Sequence, residues 1–201
     1  MILRTVPGRI RPGGIADLAT GRVAGSVARA EPPPGLLRAH VAVDRGGREL
    51  LAVSAWDSVE SAVGADSSTG DDELDRMLAE VGDLEEPTYF DIGGTWVQRS
   101  QDPPVALRLA IGRFTKPGSD IEMQDLLRRR LPTIGAAMSE ACVGRRIVGN
   151  SVEVLFYSAW LEEPADRPLD ISFWPDISLR YDHFAVRVFV PVAVAAEALP
   201  G

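Results

Sequence analysis

Two histidines, His40 and His183, are the side chains of this 201-residue sequence whose ordinary pKa lies near neutrality, so they are the first candidates for proton transfer. His183 follows Tyr181 and Asp182, which places an imidazole beside a phenol and a carboxylate near the start of an apolar strand. His40 lies on another apolar strand, a position more typical of a packed residue than of a catalyst. We therefore predict that His183 is the better candidate for a general base.

Two arginines and two tryptophans recur at one spacing: Arg4 and Arg108 are 104 residues apart, as are Trp56 and Trp160. Each arginine lies on a predicted first strand, and each tryptophan ends a predicted third strand. If those strands pair antiparallel, each arginine lies near its own tryptophan. The pattern favours a structural pairing of guanidinium and indole, but the same guanidinium can bind a carboxylate or a phenolate oxygen. Packing between a sheet and a helix is likewise the simpler interpretation of the tryptophans.

The offset of 104 aligns two longer blocks without a gap. Residues 2–14, ILRTVPGRIRPGG, match residues 106–118, ALRLAIGRFTKPG, and residues 49–56, ELLAVSAW, match residues 153–160, EVLFYSAW, with ten identities in 21 positions. We therefore predict two copies of one sequence, residues 1–102 and residues 105–201. The offset sets Gly144 opposite His40, so any histidine chemistry is expected in one half only.

Each copy shows the same order of elements. A strand precedes a turn and a helix, two apolar strands then flank a tight turn, and a helical or irregular segment leads to a last strand. This β-α-β-β-α-β order is that of the ferredoxin-like unit, an antiparallel sheet in the order 4-1-3-2 with both helices on one face. Because the other face of each sheet must also be buried, we expect an α+β protein whose two ferredoxin-like halves pack sheet to sheet as a pseudo-dimer.

The composition argues against several classes of cofactor and partner. A single cysteine and two histidines build neither a disulfide framework nor the usual zinc sites, and no glycine-rich nucleotide motif follows a strand, so we expect no metal and no cofactor. The formal net charge of −8 arises between residues 66 and 86, a segment that contains nine acidic residues and one arginine. The rest of the surface offers no basic patch to nucleic acid or to an anionic membrane. Without a long apolar run or a signal-peptide pattern, we expect a soluble, cytoplasmic protein.

A strand, then Arg-Pro-Gly or Lys-Pro-Gly, then a helix and a hairpin that ends in Ser-Ala-Trp with acidic residues after it, occurs twice in this chain. The hairpin ends continue as Trp56-Asp-Ser-Val-Glu60 and Trp160-Leu-Glu-Glu163. In these motifs the chain resembles the dimeric α/β-barrel superfamily, especially antibiotic-biosynthesis-monooxygenase-like (ABM) domains, duplicated in tandem. The resemblance covers nearly the whole chain and implies an intramolecular dimeric α/β-barrel, with a pocket between a sheet and its own helices.

The resemblance implies a cofactor-independent monooxygenase-like enzyme that acts on a small aromatic or polyketide-like substrate. His183 would be the base, and Arg4 and Arg108 would stabilise an anion. The aromatic residues expected to bind the substrate are Trp56, Trp160, Tyr157, Trp174 and Tyr181. The haem-degrading branch is not expected, because residues 57–82 and 161–182 contain no histidine to serve as an axial ligand. The alternative is a non-catalytic small-molecule-binding or assembly protein on the same scaffold.

If only one half carries a site, we predict that it is the second. Phe156 and Tyr157 lie where the first half has Ala52 and Val53, and His183 belongs to the same half. We expect a small-molecule ligand as the partner, and either a monomeric pseudo-dimer or a weak homodimer.

Overall fold

A computed structural model of the chain describes residues 1–14, 32–67, 78–97, 102–115, 118, 121–122, 124–125, 129, 138–162 and 183–195, with the backbone alone for residues 183–186 and 193–195. Antiparallel strands dominate these residues. In chain order the elements are β1 (Ile2–Ile10), β2 (Leu36–Asp44), β3 (Glu49–Trp56), α1 (Val59–Ser67), β4 (Gly82–Leu84), β5 (Thr88–Val97), β6 (Ala106–Phe114), β7 (Met138–Val148), β8 (Ser151–Trp160) and β9 (His183–Ala195).

Two hairpins join neighbouring strands through turns of different length. Between β7 and β8, Gly149 at φ 59° and Asn150 form a two-residue turn, which requires the positive φ that glycine tolerates. The turn between β2 and β3 is two residues longer. Its backbone is held by the Asp44 carboxylate, which accepts the N–H groups of Gly46, Arg48 and Glu49 at 3.0, 2.7 and 2.7 Å. Equivalent positions on β2 and β7 are therefore 102 residues apart rather than 104.

The strands belong to two compact units. Unit 1 comprises Met1–Tyr89 with Phe189–Leu199, and unit 2 comprises Phe90–Val188 with Pro200–Gly201. Neighbouring strands follow the order β4-β1-β3-β2-β9 in unit 1 and β6-β8-β7-β5 in unit 2. The chain therefore enters unit 2 within β5 and returns to unit 1 within β9.

The expected fold class, an α+β protein of two ferredoxin-like β-α-β-β-α-β halves packed sheet to sheet as an intramolecular dimeric α/β-barrel, is wrong. β5 ends the first half of the sequence, yet its residues 91–97 pair with β7 of the second half. Residues 189–195 of β9 pair in the same way with β2 of the first half. The sequence pattern identifies a strand and its apolar face, but any antiparallel edge can satisfy the backbone N–H and C=O groups of that strand. The pattern therefore does not encode which half supplies the edge. The repeat bounds of 1–102 and 105–201 stay a prediction.

The first and third strands of each half pair in the same register. Arg4 lies opposite Ser54 in the β1–β3 pair, and Arg108 lies opposite Ser158 in the β6–β8 pair. Trp56 lies opposite Ile2, and Trp160 lies opposite Ala106. The expected antiparallel pairing of these strands is thus present, and the offset of 104 relates all eight residue pairs of β1–β3 to pairs of β6–β8.

Helix α1 packs on the first and third strands of unit 1. The Ser58 hydroxyl accepts the Ser61 N–H at 3.1 Å and so caps the first turn of the helix. Ala62 then contacts a buried cluster with Ile2 and Trp56. In the described part of the chain, no helix combines the length and the apolar character needed to cross a membrane.

Gly144 tests the pairing of β5 with β7. A Cβ atom on this residue would lie 2.8 Å from the Phe90 Cβ, whereas a Cβ on Gly64 in α1 would meet nothing within 4 Å. We expect Gly144→Ala to lower the free energy of unfolding by about 1 to 3 kcal/mol through overpacking. The control, Gly64→Ala, should raise it by up to about 1 kcal/mol, because alanine favours a helix interior. Urea unfolding of both variants is the measurement, and a neutral Gly144→Ala would contradict this pairing.

Candidate functional site

The register of four strands places Arg108 on a face shared with aromatic residues. Arg108 lies opposite Ser158, Ser158 opposite Ala141, and Ala141 opposite Trp96, and residues directly opposite in antiparallel strands project from the same face. Trp160 lies on this face too, because it is two residues from Ser158 on β8. We call this side of β5, β6, β7 and β8 the Arg108 face.

Arg108 is buried, with 4% of its surface exposed. Its neighbours along β6 on the same face are the small residues Ala106 and Ala110, and Ala141 lies two strands away. Burial lowers the pKa of the Arg108 guanidinium to about 10, because desolvation disfavours its charged form. At neutral pH the side chain is therefore still a cation in an apolar environment.

Two guanidinium nitrogens of Arg108, Nε and Nη2, are buried and have no hydrogen-bond partner among the described residues. Arginines at the periphery of unit 2 differ: Arg113 and Arg146 are partly exposed, and both bind the Glu153 carboxylate, at 2.5 and 2.6 Å. A buried donor without an acceptor costs about 1 to 3 kcal/mol, and a charged one costs more. Arg108 is thus a buried cation with no anion beside these two nitrogens in the part of the chain that the structure describes.

Gln124 provides another buried donor of unit 2. It lies in a helical segment after β6, and its Nε2 also has no hydrogen-bond partner in the described part of the chain. Sequence reasoning did not find this residue, because a polar residue on a predicted helix is expected to face solvent.

Both tryptophans of the Ser-Ala-Trp motif use the serine of the motif as an acceptor. Trp56 Nε1 donates to Ser54 Oγ at 2.8 Å, and Trp160 Nε1 donates to Ser158 Oγ at 2.9 Å. Serine and tryptophan are two residues apart and therefore share a face of the strand. Trp56 is 3% exposed and belongs to the core of unit 1, whereas Trp160 is partly exposed. Trp160 is accordingly the better placed of the two to contact a ligand.

Tyr157 lies on the opposite side of β8 from Arg108 and Trp160. Its hydroxyl donates to Glu140 Oε1 at 3.0 Å, and both side chains are buried. The structure therefore does not bring Tyr157 together with the other predicted ligand-binding residues. Sequence reasoning also missed Glu140, which lies near the start of β7 (Met138–Val148).

His40 corresponds in position to Cys142 rather than to Gly144, because the β7–β8 turn is two residues shorter than the β2–β3 turn. His40 pairs with Val53, and Cys142 pairs with Tyr157, which is 104 residues after Val53. His40 is buried, and its Nε2 accepts the Arg38 Nε–H at 3.2 Å. Burial and the neighbouring Glu140 raise the pKa of the Cys142 thiol, so Cys142 is not a thiolate nucleophile.

The remaining predicted residues are placed as follows. Arg4 is half-buried on β1 of unit 1. His183 begins β9, but its side chain is outside the described part of the structure, and Trp174 and Tyr181 are outside it entirely.

Within the described ranges, no group of three His, Cys, Asp or Glu side chains is arranged to hold a metal ion.

Three solved structures resemble the chain over nearly its whole length. A proposed monooxygenase from Fusobacterium nucleatum has a TM-score of 0.73 and 11% sequence identity, and the match covers 98% of this chain and 94% of that one. A proposed monooxygenase from Lactobacillus acidophilus has a TM-score of 0.65 and 12% identity, with 97% of this chain and 96% of that one covered. An anthrone oxidase-like protein has a TM-score of 0.63 and 12% identity, with 98% of this chain and 97% of that one covered. The chain shares their fold. At this identity the likeness shows the fold alone. No protein-family model matches the sequence, and no curated protein does.

The two serine acceptors allow the burial of the tryptophans to be tested. We expect Ser54→Ala to lower the free energy of unfolding by about 1 to 3 kcal/mol, since the buried Trp56 N–H loses its acceptor. Ser158→Ala should cost less, because the partly exposed Trp160 can exchange its acceptor for water. Urea unfolding followed by tryptophan fluorescence measures both, and a larger loss for Ser158→Ala would contradict the assignment of Trp56 to the core.

Proposed function

We propose that the chain is a cofactor-independent, monooxygenase-like enzyme that binds the ionised oxygen of a small aromatic or polyketide-like substrate at Arg108. The observation that carries this proposal is the buried Arg108 guanidinium, which keeps two donors without a described partner. The fold shared with two proposed monooxygenases and an anthrone oxidase-like protein supports the same reaction class. The Ser-Ala-Trp motifs and the matching strand registers support an origin by tandem duplication of an ABM-like sequence.

In such a reaction the substrate itself supplies the electrons. A base removes a proton from the substrate carbon, and the resulting carbanion, delocalised onto the adjacent oxygen, reacts with O₂. The carbon loses two hydrogens and gains one oxygen atom, while the second oxygen atom leaves as water. Arg108 would lower the pKa of the substrate by binding its oxyanion in a site with little water. His183 remains the predicted base.

Residue size favours the second half as the location of the site. Arg108 lies between Ala106 and Ala110 on its strand, whereas Arg4 lies between the buried Ile2 and Val6. Alanine side chains occupy less volume beside the guanidinium than the branched side chains that flank Arg4. Trp160 is also more exposed than its counterpart in the first half.

A non-catalytic binding protein is the second candidate. On the Arg108 face, the described residues of β5 to β8 include one carboxylate, the exposed Asp91, and neither a histidine nor a cysteine. An anion site without a nearby base binds a ligand but does not remove its proton. Ligand binding without oxygen consumption would favour this candidate.

Oxygen uptake with a panel of anthrones and phenols tests the proposed enzyme. We expect turnover by the wild type, and a loss of about 10²- to 10³-fold in kcat/KM for Arg108→Gln, as when one oxyanion donor is removed elsewhere. His183→Ala should also lose turnover. The matched control is Arg113→Gln on the same strand, whose guanidinium binds Glu153 and lies on the opposite face. Absence of turnover by the wild type, or full turnover by Arg108→Gln, would refute the proposed enzymatic activity.

A further inference from the structure

The partnerless nitrogens of Arg108 belong to one edge of its guanidinium. The Nε–H and one N–H of Nη2 point in the same direction from this edge, and together they form the fork that receives two oxygens of one planar group. Neither atom has a partner among the described residues. We infer that the ligand of Arg108 presents two coplanar oxygens that share one negative charge, as in a carboxylate or in the enolate of a 1,3-dicarbonyl compound. This inference rests on the proposed role of Arg108 as the anion site.

The described residues near Arg108 do not supply an acceptor for this edge. Ser158, directly opposite Arg108, accepts the Trp160 N–H and makes no hydrogen bond to Arg108 Nε or Nη2. Glu153, the nearest buried carboxylate along β8, projects from the other face and binds Arg113 and Arg146. Because both nitrogens are buried, bulk water does not reach them either. Within the described residues the fork therefore has no acceptor, and a ligand that presents its own oxygens would supply them.

A ligand with a single oxygen would satisfy the fork incompletely. A phenolate oxygen aligned with one N–H leaves the second donor of the edge unpaired and buried, which lowers affinity by about tenfold or more. A two-oxygen anion satisfies both donors in one plane. The geometry of the fork thus predicts specificity for the arrangement of oxygens as well as for charge.

Three anionic probes of similar size separate these cases in the wild-type protein. Pentafluorophenolate has one oxygen, pentafluorobenzoate has a carboxylate, and the anion of 2-acetyl-1,3-cyclohexanedione has a dicarbonyl enolate; all three are ionised at mildly alkaline pH. Isothermal titration calorimetry should show at least one two-oxygen probe binding about tenfold or more tightly than the phenolate. The tighter of the two identifies the chemical source of the oxygen pair.

The variant Arg108→Lys tests whether the two parallel donors of Arg108, rather than its positive charge alone, cause the preference for two-oxygen probes. Lysine keeps the cation but lacks the two parallel donors, so the preference for two-oxygen probes should disappear while weak binding of all three persists. Arg113→Lys, on the opposite face of β6, should keep the wild-type preference. Thermal unfolding of each variant establishes that it is folded before titration.

Equal affinity for the three probes, binding of none of them by the wild type, or an unchanged preference in Arg108→Lys would overturn the inference. These outcomes are distinct from failure of the proposed enzyme. A two-oxygen preference without oxygen uptake would support the two-oxygen ligand and refute the monooxygenase activity. Arg108-dependent oxygen uptake without the preference would support the monooxygenase activity and refute the two-oxygen ligand.

Discussion

Antiparallel pairing of β6 with β8 determines where every residue of the candidate site lies. Because Arg108 is opposite Ser158, the guanidinium shares a face with Trp160, and the serine between them is engaged by the indole N–H. A shift of one residue would move Arg108 to the face that carries Tyr157 and its partner Glu140. The guanidinium would then no longer share a face with Trp160, so the proposed anion site depends on this register.

The two faces of these strands satisfy their charges in different ways. On one face, the buried Glu153 is bound by two partly exposed arginines, and Tyr157 donates to Glu140, so each carboxylate has a protein donor. On the other face, Arg108 is buried without an anion among the described residues. A protein tolerates such a charge at the expense of stability, and unpaired buried charges are typical of sites that bind a partner of opposite charge. This contrast explains why Arg108, rather than the polar pairs, is assigned to function.

The sequence predicted the strands and the pairing of the first with the third, because alternating apolar residues and the repeated Ser-Ala-Trp motif are local signals. It did not predict that β5 and β9 pair with the other half, since strand edges are interchangeable in hydrogen bonding. It identified Arg108 by its residue type. It did not predict that the Arg108 guanidinium is buried without a partner for two of its nitrogens, because burial and hydrogen bonding depend on the tertiary structure. The wrong counterpart of His40 arose from a two-residue difference in turn length, which a gapless alignment cannot accommodate.

The most direct test of the account is the stability of Arg108→Met, measured by urea unfolding without ligand. Replacing the unpaired cation by an apolar side chain of similar length should raise the free energy of unfolding by about 1 to 4 kcal/mol, the range found when buried ion pairs are replaced by apolar residues. Arg113→Met, which removes a partner of Glu153, should lower it. A loss of stability in Arg108→Met would show that the guanidinium is satisfied within the protein and would contradict its assignment as an anion site.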